Sequence, residues 1–124
     1  MGQRKVGYAE NEAELAFIRK AYNDCAAFLA ICGGFESAHR AGLLKDKTAT
    51  APRVILDQLR KESPDTNWVE KRWARDGKIW TSGILLNGLD LMMAFAKHTW
   101  PAKAELVNVL LEMGAWPVRN VEYE

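Results

Sequence analysis

Residues 26–34 read Ala26-Ala27-Phe28-Leu29-Ala30-Ile31-Cys32-Gly33-Gly34. A short continuous apolar run, Ala26 to Ile31, ended by Cys-Gly-Gly suits a strand buried on both faces of a parallel sheet. The residues that follow supply a helix: Phe35 to Ala41 gives two turns, stopped by Gly42 at a C-cap position. Strand, tight glycine turn and helix form one half of an α/β unit, and Cys32 stands at the junction. A cysteine there has its sulfur near the unpaired N–H groups of the helix's first turn, which together with the helix dipole stabilise a thiolate. Gly33 and Gly34 are expected to take positive φ and to leave space for a substrate beside the sulfur, the geometric logic of a serine nucleophile elbow. The same pattern also fits a buried core cysteine, since free cysteine is among the residue types most often found inside.

Working outward toward the N-terminus, Asn11-Glu12-Ala13-Glu14 reads as a helix N-cap with an acidic residue three positions on. Leu15, Ile18, Ala21 and Tyr22 then recur at helical spacing, which predicts a helix over Glu12 to Asn23. Toward the C-terminus, Thr48 to Thr50 extend briefly and Pro52 opens a helix carrying Val54, Ile55, Leu56 and Leu59, ended by Ser63-Pro64-Asp65. Asn67 to Ala74 and Lys78 to Thr81, joined around Asp76-Gly77, read as a β-hairpin with Trp68, Trp73 and Trp80 among its core residues. A helix from Leu85 to about Lys97 is expected to turn Leu85, Leu89, Met92, Met93 and Phe95 inward, and Leu106 to Met113 form a last helix. The pattern does not decide residues 116–124.

The chain has 124 residues, with seventeen basic against sixteen acidic side chains and a net charge of +1. That is the composition of one globular domain spanning 1–124, with no repeat or linker. The charges are spread without blocks, so no electrostatic footprint for nucleic acid or for an anionic membrane surface is present. No apolar run approaches the roughly 20 residues needed to cross a bilayer. Met1 to Val6 carry neither a signal-peptide h-region nor a myristoylation site, so a cytoplasmic, reducing compartment is expected. Cys25 and Cys32 bracket the strand, about 20 Å apart at roughly 3.3 Å per residue, too far for a disulfide. His39 and His98 lack ligand-spaced neighbours, so no metal is expected.

With these elements in place the sequence resembles the ThiJ/PfpI family, within the class I glutamine-amidotransferase-like superfamily. The resemblance rests on Ala30-Ile31-Cys32-Gly33-Gly34, on Ala41 to Thr50 (Ala-Gly-Leu-Leu-Lys-Asp-Lys-Thr-Ala-Thr), on Trp73, on Asp76 to Ser82 (Asp-Gly-Lys-Ile-Trp-Thr-Ser) and on Gly88-Leu89-Asp90. It implies a partial flavodoxin-like or Rossmann-like three-layer α/β sandwich with a nucleophile elbow, missing its first strands. It also implies Cys32 as catalytic nucleophile, backbone N–H groups of Gly33 and Gly34 orienting substrate or stabilising an oxyanion, and no cofactor. The segments look most like the branch containing isocyanide hydratases and the ligand-binding domains of some transcription regulators. No helix-turn-helix follows, so the regulator reading lacks its DNA-binding half. The expected function is therefore a cysteine-dependent hydratase or lyase acting on a small molecule. The alternatives are a non-catalytic redox-responsive or remnant module, or glyoxalase- or amidase-type chemistry at the same cysteine.

The sequence departs from the family pattern at two places. The histidine expected after the Ala-Thr stretch is replaced by Pro52. The resemblance also covers only the later part of the family domain, whose first half supplies the opening strands and a carboxylate facing the cysteine. An unpaired strand edge and exposed apolar surface are expected in consequence, and with them a homodimer or a completing partner chain. Asp90 is expected to complement its helix dipole, Glu36 to cap a helix or touch substrate, and Arg53 to be an exposed helix-start residue.

Overall fold

The computed structural model describes residues 9–123. The element order is helix α1 (Glu12–Asp24), strand β1 (Phe28–Ala30), helix α2 (Phe35–Arg40), β2 (Thr48–Ala49), α3 (Arg53–Glu62), β3 (Asn67–Trp68), β4 (Trp73–Asp76), β5 (Ile79–Ser82), α4 (Asn87–Thr99) and α5 (Ala104–Met113). Single 3₁₀ turns at Cys32–Gly34 and Pro101–Lys103 precede α2 and α5.

Local chemistry accounts for most boundaries. The Asn11 side chain accepts the Glu14 N–H at 2.9 Å, the N-cap the sequence predicts. Helix α2 ends in a Schellman motif: Leu43 N–H donates to Ala38 O and Gly42 N–H to His39 O, with Gly42 at φ 83. Gly77, at φ 60, turns β4 back into β5.

The main sheet has the order β1-β5-β4, with β1 parallel to β5 and β4 antiparallel to it; β2 and β3 form a second, parallel pair. Side chains alternate across the pleat. Ile79 therefore faces a core of Phe35 and Ala38 from α2, Leu44 from the loop after it, Leu56 from α3 and Trp68 from β3. Trp80 faces the other way, with its ring 5.5 Å from Phe95 of α4. Helices on both faces of a small mixed sheet give an α/β fold.

Four expectations need correction. The strand at Ala26 to Ile31 shortens to Phe28–Ala30, because β5 has only four residues and Ala26 and Ala27 lie beyond its start. The predicted hairpin arm Asn67 to Ala74 divides in two. Asn67–Trp68 pairs in parallel with Thr48–Ala49, and between the halves Arg72 N–H donates to Val121 O while Thr50 takes the Val69 and Lys71 carbonyls through its hydroxyl. On α3 it is Leu56 and Leu59 that are buried, while Val54 is exposed. The helix predicted from Leu85 starts at Asn87, so Leu85 lies before α4 and is exposed, while on α4 itself Leu91 is buried and Met92 is exposed.

Candidate active site at the Cys32 elbow

Strands β1 and β5 run in parallel, so their C-terminal ends lie together, and the chain leaves β1 there into the 3₁₀ turn that starts at Cys32. The conformation expected of the glycines belongs to the cysteine itself. Cys32 has φ 54, whereas Gly34 has φ −60. A left-handed non-glycine residue is uncommon and costs energy, and where it persists the surroundings enforce it. The Cys32 N–H donates to Ser82 Oγ at 3.3 Å, which ties the elbow to the end of β5. On the other side, Gly34 N–H donates to Ile31 O at 2.9 Å and closes the turn. The Gly34 amide is thereby engaged within the turn. A β-carbon at Gly34 would meet nothing within 4 Å, so this side of the elbow is open.

Ile31 is wedged against α4. A β-carbon at Gly88 would stand 2.9 Å from Ile31 Cγ2, so only glycine lets the helix approach the elbow this closely. A polar knot beside it fixes the strand ends. Thr50 N–H donates to Thr81 Oγ1 at 2.9 Å, and the Thr50 hydroxyl donates to Val69 O at 2.6 Å.

The other residues singled out in the sequence go elsewhere. His39, in a groove between α2 and α3, has its ring 5.8 Å from that of Trp68 and tilted to it, and His98 lies 5.6 Å from Trp80 on the opposite face of the sheet. Asp90 is buried, but it serves the C-terminal tail: Arg119 binds it through Nε at 3.0 Å and Nη2 at 2.8 Å, and Asn87 Nδ2 donates to it at 3.1 Å. Arg53 pairs with Glu70 at 2.9 Å and lays its guanidinium over the Tyr123 ring at 4.2 Å. Pro52 is fully buried. No metal-binding cluster of His, Cys, Asp and Glu occurs among the described residues, and no helix there is long and apolar enough to cross a membrane.

The sequence reading missed two groups, Ser82 and the tail. Ser82 closes the Asp-Gly-Lys-Ile-Trp-Thr-Ser run, and a serine ending a buried strand beside the elbow was the available signal. The tail gave none, because its hold on α4 depends on pairs 27 to 36 residues apart.

The profile of the DJ-1/PfpI family matches residues 2–98. The chain belongs to the DJ-1/PfpI family. No curated protein matches it. Among solved structures, it is similar to a ThiJ/PfpI family protein from Pseudomonas syringae, at TM-score 0.71 and 21% identity, over 89% of this chain and 44% of that one. Drosophila melanogaster DJ-1beta matches at TM-score 0.70 and 18% identity, over 88% and 56%. An AraC family transcriptional regulator from Pseudomonas putida matches at 0.66 and 19%, over 83% and 57%. At these identities the likeness is one of fold, and the DJ-1/PfpI chain described here spans about half the length of those structures.

Proposed function

We propose that the chain carries the nucleophile of a cysteine-dependent hydratase or lyase of the ThiJ/PfpI type, most like an isocyanide hydratase. The observation that supports this reading is the elbow: a cysteine held at φ 54 between strand and helix, its amide tied to Ser82. In the proposed reaction the Cys32 thiolate attacks the terminal carbon of an isonitrile. The C–S bond forms and that carbon takes a proton, giving a thioimidate. Water then adds across the C=N bond, its oxygen to carbon and a proton to nitrogen. The C–S bond breaks with sulfur leaving as thiolate, the hydroxyl proton is released, and an N-substituted formamide remains. The Gly33 N–H at the start of the turn is assigned to orienting the substrate. No cofactor enters the balance.

Self-association, or a completing partner chain, belongs to the same proposal. Among the described residues β1 pairs only with β5, and Phe17, Leu106, Val109, Leu110 and Met113 are exposed. A monodisperse monomer in sedimentation would count against this part.

Intact-mass spectrometry of the protein incubated with an alkyl isonitrile tests the chemistry. The expected result is an adduct of the isonitrile's mass on Cys32 together with formamide in solution, both abolished in Cys32→Ala. Wild-type protein that yields neither overturns the reading.

Pro52 favours a second reading, a non-catalytic thiol module, because the position where the resemblance expects a histidine holds a buried, non-titrating side chain. Iodoacetamide labelling of Cys32 across pH separates the two. A midpoint near 8.5, the value of a free thiol, supports the module.

A further inference from the structure

Arg75 of β4 is the cross-strand partner of Trp80 on β5, so the two side chains share the face of the sheet that α4 covers. Phe95 and His98, three residues apart and hence neighbours on one face of α4, both meet the Trp80 ring, at 5.5 and 5.6 Å. The Arg75 guanidinium lies over the same ring at 5.2 Å. Ala26, Ala27 and Gly77 complete the surround and are too small to fill the space beside these rings. A cavity of about 420 Å³ results, within the roughly 300–1,000 Å³ range of small-molecule sites.

Its charge is one-sided. Arg75, Lys78 and His98 line it, and among the described residues no carboxylate does. Lys78 is already committed, because its Nζ donates to the Asn23 and Cys25 carbonyls at 3.3 and 3.1 Å and closes the C-terminal end of α1. His98 stands in the last turn of α4, where a basic residue complements the helix dipole. Arg75 has no comparable task. Arg19, Arg40, Arg53, Arg60 and Arg119 each meet a carboxylate, and Arg72 holds two carbonyls of the tail. The Arg75 guanidinium donates only through Nε, to Gly77 O two residues away at 2.8 Å. Its two terminal nitrogens have no hydrogen-bond partner among the described residues, and their spacing matches the two oxygens of a carboxylate.

We propose that this cavity binds a small aromatic carboxylate, with the Arg75 fork on the carboxylate and the rings of Phe95 and His98 against the aromatic body. The site is separate from the elbow: Ala27 precedes β1 and Cys32 follows it, roughly 15 Å away along an extended chain. The ligand is therefore bound without reacting at the sulfur.

Isothermal titration calorimetry of the whole chain tests this with benzoate as probe, benzamide as its uncharged counterpart and cyclohexanecarboxylate as its non-aromatic one. Benzoate is expected to bind at least tenfold tighter than either. Arg75→Gln is expected to weaken benzoate at least tenfold and to leave benzamide within threefold. Ala26→Phe, which fills the cavity from its exposed rim, is expected to weaken all three, and Cys32→Ala to leave the benzoate Kd within twofold. No saturable heat from the wild-type chain at millimolar benzoate overturns the site, as does an unchanged benzoate Kd in Arg75→Gln with native circular dichroism. If Arg75→Gln loses its fold, undiminished benzoate binding in Ala26→Phe overturns the site instead. Loss of binding in Cys32→Ala moves the ligand to the elbow, and cyclohexanecarboxylate binding as tightly as benzoate removes the aromatic class; either result overturns the proposal.

Discussion

The backbone N–H of Cys32 donates to the hydroxyl oxygen of Ser82 at 3.3 Å, across fifty residues of sequence. This bond joins the two parallel strand ends at the point where the backbone enters the left-handed region. Ser82→Ala removes the acceptor and is expected to cost about 1 kcal/mol, the scale of a half-buried donor left without a partner. Urea unfolding measures the loss. The same variant is expected to change the rate at which iodoacetamide labels Cys32, because the elbow loses one of its two anchors.

Arg119 attaches the tail to a buried carboxylate on α4. Its side chain is 33% exposed, while the Asp90 carboxylate it binds is 2% exposed. Arg119→Ala strands that carboxylate with only Asn87 as partner, so the expected cost is roughly 3 kcal/mol, the low end for a buried pair because one member keeps contact with water. Replacing both residues, Asp90→Asn with Arg119→Ala, is expected to recover part of the loss. A double-mutant cycle in urea gives the coupling, and additivity would show that the pair does not hold the tail.

Much of the scaffold is legible in the sequence because it is written locally. Asn11 caps α1 within one turn, Gly42 and Gly77 take the φ values their turns demand, and Pro52 sits at the entrance of α3. The elbow is legible too, through its strand-Cys-Gly-Gly pattern. What escapes is non-local. Residues 67–74 look like one strand, but their middle bonds to Thr50 and to the tail instead of to a hairpin partner. The positive φ falls on Cys32 rather than on the glycines that follow, because the constraint comes from Ser82 and from Ile31 wedged against Gly88. Asp90, readable as a dipole complement, is fixed by an arginine 29 residues later.

The acid limb of stability should carry the signature of Glu10. The Ser37 hydroxyl donates to one carboxylate oxygen and the Arg40 guanidinium to the other at 2.6 Å. The Ser37 bond contributes most, against an opposing effect of burial, and together with Arg40 it holds the carboxyl at about 2 instead of 4.5. The unfolded chain therefore binds more protons at this group between those values. Its stabilisation is complete above pH 4.5 and disappears as pH falls toward 2. Glu10→Gln is expected to lower stability at neutral pH and to flatten the pH dependence between 4.5 and 2. Urea midpoints across that range measure both, and an unchanged slope would assign the acid limb to other carboxylates.

The elbow itself predicts an opposition between stability and chemistry. Cys32 at φ 54 is a non-glycine residue in the left-handed region, where a β-carbon costs roughly 1–2 kcal/mol. Glycine there escapes the clash but brings back unfolded-state entropy of about 0.5–1 kcal/mol. Cys32→Gly is therefore expected to be more stable than Cys32→Ala by up to about 1 kcal/mol, although both remove the sulfur and Gly removes more packing. The comparison isolates the backbone, since loss of the thiol is common to both variants. Paired thermal melts decide it, and an alanine variant as stable as the glycine variant would mean that the left-handed turn is relaxed in solution. If glycine is favoured, the wild-type chain holds a residue its backbone would exchange for glycine. The cost is then borne for the sulfur, at the one point where both strand ends and the first turn of a helix converge on it.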